Sequence, residues 1–328
     1  MNASTKFWPQ GSIPSHSAWR MMALALIAIS LMGHGKAQET DRKTFGSPQE
    51  AAQALADACA ANDVGRLMAI LGPSGQDLVS SGDEVADKDA RARLASAFQD
   101  MNRLVPEGVD KQVLHIGSED WSLPIPIVKR GGRWQFATNQ GTDELLRRRI
   151  SSNETSANRI CGLYVQLQNE YAGRLHDDVT MNGVYAQKIM SDPGQHNGLY
   201  WPTDGLGRGG PANTLIALAA QEGYSAPGQR PKPFHGYYFR ILTAQGPDAP
   251  GGAKSYFSQD DTGLFAKRKM TGGFALVAYP AKYQSSGVMT FIVNQDGTVY
   301  HKDLGDDTAE IARQMTEYNP DSTWVPTY

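Results

Sequence analysis

Residues 288–303 read VMTFIVNQDGTVYHKD, and this stretch decides the fold class. Residues 288–293 and 298–303 are rich in β-branched and aromatic side chains, which favour strands. Asp296-Gly297 lies between them, and an Asp-Gly pair is a strong signal for a hairpin turn. Two more strands are predicted upstream, at residues 237–244 and 273–279. The sequence therefore predicts a four-stranded antiparallel sheet in this part of the chain.

Helical patterns lie on both sides of these strands. The longest covers residues 153–175, where apolar side chains recur every three or four positions and form a stripe suited to packing on a sheet. Shorter helices are predicted at residues 211–223 and 308–318. A long helix backing a four-stranded antiparallel sheet makes a C-terminal α+β domain over residues 151–328.

The N-terminal half has its own order of elements. Ser47, Pro48 and Glu50 form a capping box with proline at the first helical position, which predicts a helix over residues 45–61. Further helices are predicted at residues 63–71 and from residue 87 to residue 104. Strands follow at residues 113–118, 123–129 and 134–137, and Gly131-Gly132 makes the last hairpin. Three helices and an antiparallel meander define an N-terminal α+β domain, residues 38–150, whose order resembles nuclear transport factor 2-like domains.

Residues 1–37 have the parts of a signal peptide. Residues 21–32, MMALALIAISLM, form an apolar core preceded by Arg20, and Gly35 and Ala37 are small residues at the cleavage positions. Twelve residues are too few to cross a bilayer core of about 30 Å. Cleavage is expected before Gln38, although translation could start at Met21 or Met22, or the segment could remain as an anchor. The mature chain is expected in the periplasm or outside the cell, with no transmembrane span.

Charge and composition exclude several classes of protein. The 328 residues carry 31 basic and 34 acidic side chains, a net charge of −3, and removal of residues 1–37 leaves 28 and 34, or −6. Nucleic-acid binding is not expected, because it needs clustered cations that displace the counterions of phosphate groups. The one basic run, Arg147 to Arg149, is interpreted as a solvated helix face. Ordinary glycine and proline usage, 34 and 18 residues, excludes collagen-like and low-complexity chains.

Cys59 and Cys161 are the only cysteines, and both remain after the predicted cleavage. Disulfides persist in oxidising compartments outside the cytoplasm. A bond between the two is therefore predicted, slightly ahead of two buried free thiols.

Three segments together resemble an exported bacterial family known only as a domain of unknown function, DUF2950. They are GLYWP at residues 198–202, HGYYFRILTAQG at 235–246, and GGFALVAYP at 272–280 continuing to GVMTFIVNQDG at 287–297. The resemblance covers nearly all of the mature chain. It implies an exported protein, and it supplies no reaction, ligand or catalytic residue. The last strands also resemble, more weakly, the globular heads of pilin-like proteins.

No motif specific for catalysis or metal binding is found. The sequence has no CxxC, no HExxH, no two histidines three to five residues apart and no GxSxG, so neither a metal nor a cofactor is predicted. His235 precedes a strand and could act as a general acid or base with a carboxylate such as Asp303 or Asp178. A hydrogen-bonded anchor between loop and strand is the favoured interpretation of His235. Asp178 also follows His176 and Asp177, where a helix end explains the cluster better than a metal site.

Aromatic residues beside glycine and proline suggest a recognition surface. Tyr200, Trp201, Tyr237 and Tyr238 combine apolar faces with polar tips suited to a peptide, a glycan or an envelope protein. The alternative is that part of this set belongs to the core. The sequence thus favours a non-enzymatic binding or assembly module of the envelope. A hydrolase acting on an envelope polymer and a pilin-head-like subunit are the alternatives.

Overall fold

Helices and antiparallel sheets alternate along the chain in the computed structural model, which describes residues 42–174, 183–203, 205, 207–224, 232–258 and 269–327. Seven α-helices and thirteen strands lie in these ranges, so the predicted α+β class is confirmed. No helix within them is both long enough and apolar enough to cross a membrane. The predicted signal peptide and Asp178 lie outside the described residues.

Four helices precede the first strand, and side-chain caps set where three of them begin. Ser47, Asp63 and Asp83 accept hydrogen bonds from the backbone N–H three residues ahead, as N-caps do. The cap at Asp83 starts the fourth helix earlier than the predicted residue 87. The helices are α1 (Pro48–Ala60), α2 (Val64–Leu71), α3 (Gln76–Val79) and α4 (Glu84–Asp100).

An antiparallel meander follows directly after α4. Met101 is already extended, so residues predicted as the end of a helix form the first strand instead. Gly131 and Gly132 adopt positive φ of 58° and 80° in the predicted hairpin. Pro124 and Pro126 lie between strands rather than within one. The strands are β1 (Asn102–Pro106), β2 (Lys111–Ile116), β3 (Trp121–Ser122), β4 (Ile127–Arg130) and β5 (Arg133–Phe136), in the order β1-β2-β4-β5 with β3 on β2.

The C-terminal half contains a five-stranded sheet instead of the predicted four, because residues near the C-terminus add a short strand to one edge. All its pairs are antiparallel, in the order β13-β11-β10-β9-β6. The central strands β9 and β10 are almost entirely buried. The strands are β6 (Tyr237–Leu242), β9 (Ala275–Pro280), β10 (Met289–Asn294), β11 (Tyr300–Asp303) and β13 (Val325–Pro326).

The long helix α5 (Thr142–Ala172) contacts β9 and β10 with its apolar face, as its stripe predicts. The shorter helices are α6 (Asn213–Gln221) and α7 (Thr308–Gln314). After α7 the chain leaves the predicted helix and enters a small three-stranded sheet. This sheet has the order β12-β7-β8 and consists of β7 (Ala244–Gln245), β8 (Lys254–Ser255) and β12 (Glu317–Tyr318).

The described residues bury two apolar clusters. One combines α1, α2 and α4 with β2, β4 and β5, and the other combines α5 with the C-terminal sheet. Helix α5 passes the predicted domain boundary at residues 150 and 151 without interruption, and Arg42–Tyr328 forms one compact unit. The division into two domains stays a prediction.

The predicted disulfide is wrong. Cys59 and Cys161 are both free and both buried. Cys59 on α1 packs into the N-terminal cluster and Cys161 on α5 into the C-terminal one, so the helix faces that bury the two thiols hold them in separate cores. Burial raises the pKa of Cys59 to about 11 and that of Cys161 further still.

Candidate functional site

A cleft of about 870 Å³ lies where α4 and α5 meet the segment that follows α6. We call it the His235 cleft. Its lining is rich in arginines and hydroxyls and contains two carboxylates, Asp89 and Glu222. The arginines are Arg93, Arg147, Arg148 and Arg159, and the hydroxyl-bearing residues are Ser151, Ser152, Thr155, Ser156 and Tyr224.

Helix α5 supplies one wall of the cleft because its polar residues recur at helical spacing. Arg148, Ser152, Thr155 and Arg159 are four, three and four residues apart and therefore share one face. The opposite face of α5 is apolar and packs on the sheet. Burial of that face turns the polar face toward the cleft.

A two-residue hairpin turn positions His235. Phe234 and Tyr237 exchange two backbone hydrogen bonds of 2.8 and 3.1 Å around it. Both central residues have positive φ, 50° at His235 and 76° at Gly236, as in a type I′ turn. A Cβ at Gly236 would collide with the side-chain amide of Asn153, so glycine is needed there for space as well as for φ. Among residues other than glycine, histidine is one of the few, with asparagine and aspartate, that adopt this left-handed backbone comparatively often.

The imidazole of His235 is held from both sides. Its Nδ1 lies 2.6 Å from Oγ of Ser156, and its Nε2 lies 2.5 Å from Oε2 of Glu222. The ring also stacks on Phe234 at a centroid distance of 4.0 Å. An ionised carboxylate can only accept, so Nε2–H of His235 donates to Glu222, and in the neutral imidazole Nδ1 is then the acceptor for the Ser156 hydroxyl.

A buried carboxylate ties this turn to α4. Asp83 is only 1% exposed and accepts from the backbone N–H of Ala86 at 3.1 Å and of Gly236 at 2.8 Å. It also accepts from the Tyr224 hydroxyl at 2.9 Å. Burial, together with the charge of Asp83, raises the pKa of Tyr224, which therefore stays a hydrogen-bond donor. Asp83 thus links the N-terminal helices to the turn at His235.

The arginines of the cleft differ in how far they are neutralised. Arg93 pairs with Asp89, and Arg147 and Arg148 share one partner, Glu144. Arg159 is exposed and forms no ion pair within the described part of the chain. The cleft therefore presents cationic donors that its own carboxylates do not fully balance.

A second cavity, of about 680 Å³, lies between α5, α6 and the sheet edge at β6. We call it the β6 cavity. Its lining is mainly apolar, with side chains such as Ile160, Leu215 and Phe234. Val85 and Tyr224 line both cavities, so the two lie side by side.

The predicted binding residues occupy different environments. Trp201 is 7% exposed and packs on His196 at a centroid distance of 4.8 Å, and Tyr237 is fully buried. Tyr200 is half-buried against the C-terminal core, and Tyr238 is half-buried and lines the β6 cavity. The structure therefore gives Trp201 and Tyr237 packing roles, and a binding role for the set stays a prediction.

Asp303, one of the predicted acid/base partners, does not meet His235. Asp303 accepts from the Tyr283 hydroxyl at 3.0 Å and from Gly305 N–H at 2.8 Å, and it does not line the described cleft. Asp178 lies outside the described residues. His235 itself lies in a cleft and is hydrogen-bonded, with Glu222 as its carboxylate partner.

Sequence reasoning missed Ser156, Glu222 and Asp83. Two local signals could have found part of this arrangement. The His235-Gly236 pair lies between the aromatic residues Phe234 and Tyr237, which is compatible with a type I′ turn, and Asp83 directly precedes the first residue of α4, as an N-cap does. No local sign pairs Ser156 with His235, which are 79 residues apart. Arg149 also departs from the solvated-face interpretation, because it points inward and donates to the carbonyls of Asp77 and Leu78 at 2.6 Å each.

Comparisons with known proteins place the chain in one family. No curated protein and no solved structure matches it, so the likenesses to nuclear transport factor 2-like domains and to pilin heads stay predictions. The family model described as "Protein of unknown function (DUF2950)" matches residues 42–327. That match covers nearly the whole chain and agrees with the resemblance carried by the GLYWP, HGYYFRILTAQG and GGFALVAYP segments. The chain belongs to the DUF2950 family.

Proposed function

We propose that this protein is an exported, non-enzymatic binding module of the bacterial envelope, and that its ligand carries an oxyanion group that lies in the His235 cleft. Export is proposed from the signal-peptide pattern of residues 1–37. The binding role is supported by one observation above all: the cleft collects four arginines and several hydroxyls against two carboxylates.

The chemistry of the lining selects the ligand class. Guanidinium groups and hydroxyls donate hydrogen bonds in the geometry that phosphate, sulfate and carboxylate accept. Arg159, which has no ion pair among the described residues, can form one with a ligand without breaking an internal bond. A local cationic excess on a chain of net charge −3 also favours an anion over a cation. Such groups occur on glycans, acidic peptides and envelope proteins.

Binding of inorganic phosphate to the mature chain tests this proposal, with calorimetry and thermal unfolding as the readouts. Ligands that bind only the folded state raise the melting temperature by an amount that grows with the ratio of the ligand concentration to Kd. We expect phosphate and acetate to bind, with phosphate the tighter. The Arg159→Gln and Arg148→Gln variants should each weaken phosphate binding by about tenfold, the loss expected when one charged hydrogen-bond partner is removed.

Arg313→Gln is the matched control, because Arg313 is an exposed arginine on α7 away from the cleft. It should bind phosphate as the wild type does. Equal phosphate affinity in wild type, Arg159→Gln and Arg148→Gln would remove the cleft from the proposal.

A second candidate function is hydrolysis at the same cleft, and the contacts of His235 favour it. A hydroxyl hydrogen-bonded to an imidazole that a carboxylate orients is the arrangement of serine hydrolases. Here Ser156 would pass its hydroxyl proton to Nδ1 of His235 while Glu222 holds Nε2–H. The backbone N–H of Ser156 lies inside α5, so a guanidinium such as that of Arg159 would have to stabilise the oxyanion.

Labelling with a fluorophosphonate separates the two candidates. A catalytic Ser156 should react, and mass spectrometry should find the adduct on Ser156 in the wild type and not in the His235→Ala variant. Ser152→Ala is the control, since Ser152 lines the same cleft without contacting His235, and it should label normally. An unlabelled wild type would end the hydrolase candidate and leave the binding module.

A further inference from the structure

The edge of β6 has a backbone orientation that the hydrogen bonds define. Gly236 C=O accepts from Ala281 N–H at 2.8 Å, which makes the even-numbered residues of β6 the ones that bond to β9. Tyr237 instead exchanges its backbone bonds with Phe234 on the other side. The odd-numbered residues of β6 therefore direct their N–H and C=O groups away from the sheet.

Two of these residues have no backbone partner. The backbone N–H and C=O groups of Phe239 and Ile241 form no hydrogen bond with any described residue. The strand lies at the end of the order β13-β11-β10-β9-β6, so no described strand covers it. Four backbone groups are left open along a short, central part of this edge.

These groups open into an apolar space. The four consecutive residues 238–241 all line the β6 cavity, and neighbours on opposite faces of a strand can do so only if the cavity runs along the strand's edge. The walls opposite are apolar side chains of α5 and α6, among them Leu167, Leu215 and Ile216. Unpaired backbone groups in such a space are unfavourable, and an added strand satisfies them.

We propose that the β6 cavity binds an extended peptide, which pairs with Phe239 and Ile241 as a sixth strand of the C-terminal sheet. The peptide's apolar side chains enter the cavity, and its backbone supplies the missing hydrogen bonds, as in β-strand addition. This goes beyond the oxyanion site of the His235 cleft and uses other residues.

The ends of the open edge set the length of the pairing. On one side Tyr237 is bonded to Phe234, and on the other the Thr243 carbonyl accepts from Tyr256 N–H at 2.9 Å. Only residues 239–241 remain between them. The peptide therefore pairs over three residues, through up to four backbone hydrogen bonds, and its flanking residues reach the apolar walls.

A random heptapeptide library displayed on phage, selected on the mature chain, tests the proposal. The decisive variant is Ile241→Pro, which removes one outward N–H and no bond to β9, so that an edge strand tolerates it. Ile241→Val is its control, because it keeps the N–H and shortens the side chain only slightly. We expect selected peptides to alternate apolar residues, to bind Ile241→Val within about twofold of wild type, and to bind Ile241→Pro at least tenfold more weakly.

The peptide itself provides a second test, which needs no protein variant and stands even if Ile241→Pro fails to fold. Two forms of a selected peptide are made, one methylated on its odd and one on its even backbone nitrogens. Only one set of nitrogens faces β6 in a paired strand, so one form should lose at least tenfold in affinity and the other should not. Equal effects of the two forms would overturn the proposal.

Two other results would also overturn it. One is a library that enriches no peptide on the wild-type chain above the Ile241→Pro chain. The other concerns dodecanoate, which carries an acyl chain and no peptide backbone. The proposal would be overturned if dodecanoate displaced the selected peptide, bound wild type and Ile241→Pro equally, and both methylated peptides still bound. That result would assign the cavity to an acyl chain.

Discussion

The His235 cleft and the β6 cavity lie side by side and share Val85 and Tyr224, yet they are built from different parts of the chain's chemistry. In the cleft the groups available to a ligand are side chains, chiefly arginines and hydroxyls. In the cavity the side chains are apolar, and the available groups are the backbone of Phe239 and Ile241. A helix uses all its own backbone bonds and offers only side chains, whereas an edge strand offers its backbone.

This difference teaches where specificity can arise. Charged side chains select a ligand by its charge. Backbone groups select an extended peptide by its conformation, and they depend little on the peptide's sequence. One chain could therefore hold an anionic group in the cleft and an extended segment beside it. The predictions below test whether the two cavities are as separate as this comparison implies.

The largest effect is expected from Asp83→Ala, because Asp83 supports the wall that both cavities share. The substitution removes a helix cap and leaves the half-buried Tyr224 hydroxyl and the buried Gly236 N–H without their acceptor. We expect the free energy of unfolding in urea to fall by about 3 kcal/mol. Phosphate and peptide binding should weaken together.

Asp63→Ala is the matched control, since Asp63 caps α2 through a single exposed bond of 2.9 Å to Arg66 N–H. It should lower the free energy of unfolding by about 1 kcal/mol and leave both ligands bound. Equal losses for the two aspartates would show that Asp83 acts as a cap only.

The next largest effect is expected from salt, which should weaken ligand binding in the His235 cleft more than in the β6 cavity. Ion pairs at exposed groups are screened within about 8 Å at physiological ionic strength, whereas backbone pairing in an apolar cavity is not. Raising sodium chloride from about 0.05 to 0.5 M should weaken phosphate binding by roughly tenfold and peptide binding by less than twofold. Parallel titrations at both salt concentrations measure this. Equal salt dependence would mean that charge also governs the peptide site.

Tyr224→Phe removes only the hydroxyl from the shared wall. That hydroxyl donates to Asp83 and accepts from His235 N–H at 3.3 Å. Its loss should lower the free energy of unfolding by about 1 kcal/mol, a typical value for one intramolecular hydrogen bond. Tyr283→Phe is the control, because its hydroxyl bonds to the exposed Asp303, and it should change the free energy by less than about 0.5 kcal/mol.

The cysteines should show the smallest effect of all, since neither lines a described cavity. Burial raises the pKa of both thiols, so neither should react with a disulfide reagent at pH 8 in the folded protein. Two thiols per chain should react after unfolding in guanidinium without reductant. A chain that yields no free thiol until reductant is added would restore the disulfide.

Much of the fold could be predicted from the sequence, for reasons that particular elements make clear. Ser47 and Asp63 cap α1 and α2 because capping acts over three residues, and Gly131-Gly132 turns a hairpin because positive φ is a property of glycine itself. The first strand of the meander was missed because Met101 and Leu104 continue the apolar spacing of α4, while the backbone becomes extended at Met101.

The candidate sites were much less predictable. His235 is a candidate from the sequence, but its contacts with Ser156 and Glu222 are not predicted, and the predicted partner Asp303 lies elsewhere. Trp201 was expected as a recognition residue and is buried on His196. The disulfide between Cys59 and Cys161 was predicted because the chain is expected in an oxidising compartment. The compartment carries no information on the positions of the two thiols, which two helix faces bury in different cores.

The sequence by itself determined the family, the α+β class, the caps at Ser47 and Asp63, the Gly131-Gly132 hairpin and four of the five strands of the C-terminal sheet. These depend on side-chain shape, apolar period and backbone freedom, which act over a few residues. Only the tertiary structure decided that His235 meets Ser156 across 79 residues, that Asp83 holds Gly236 across 153, and that one edge of β6 stays open. Those interactions follow from how α4, α5 and the sheet pack together, and packing is settled by the whole chain at once.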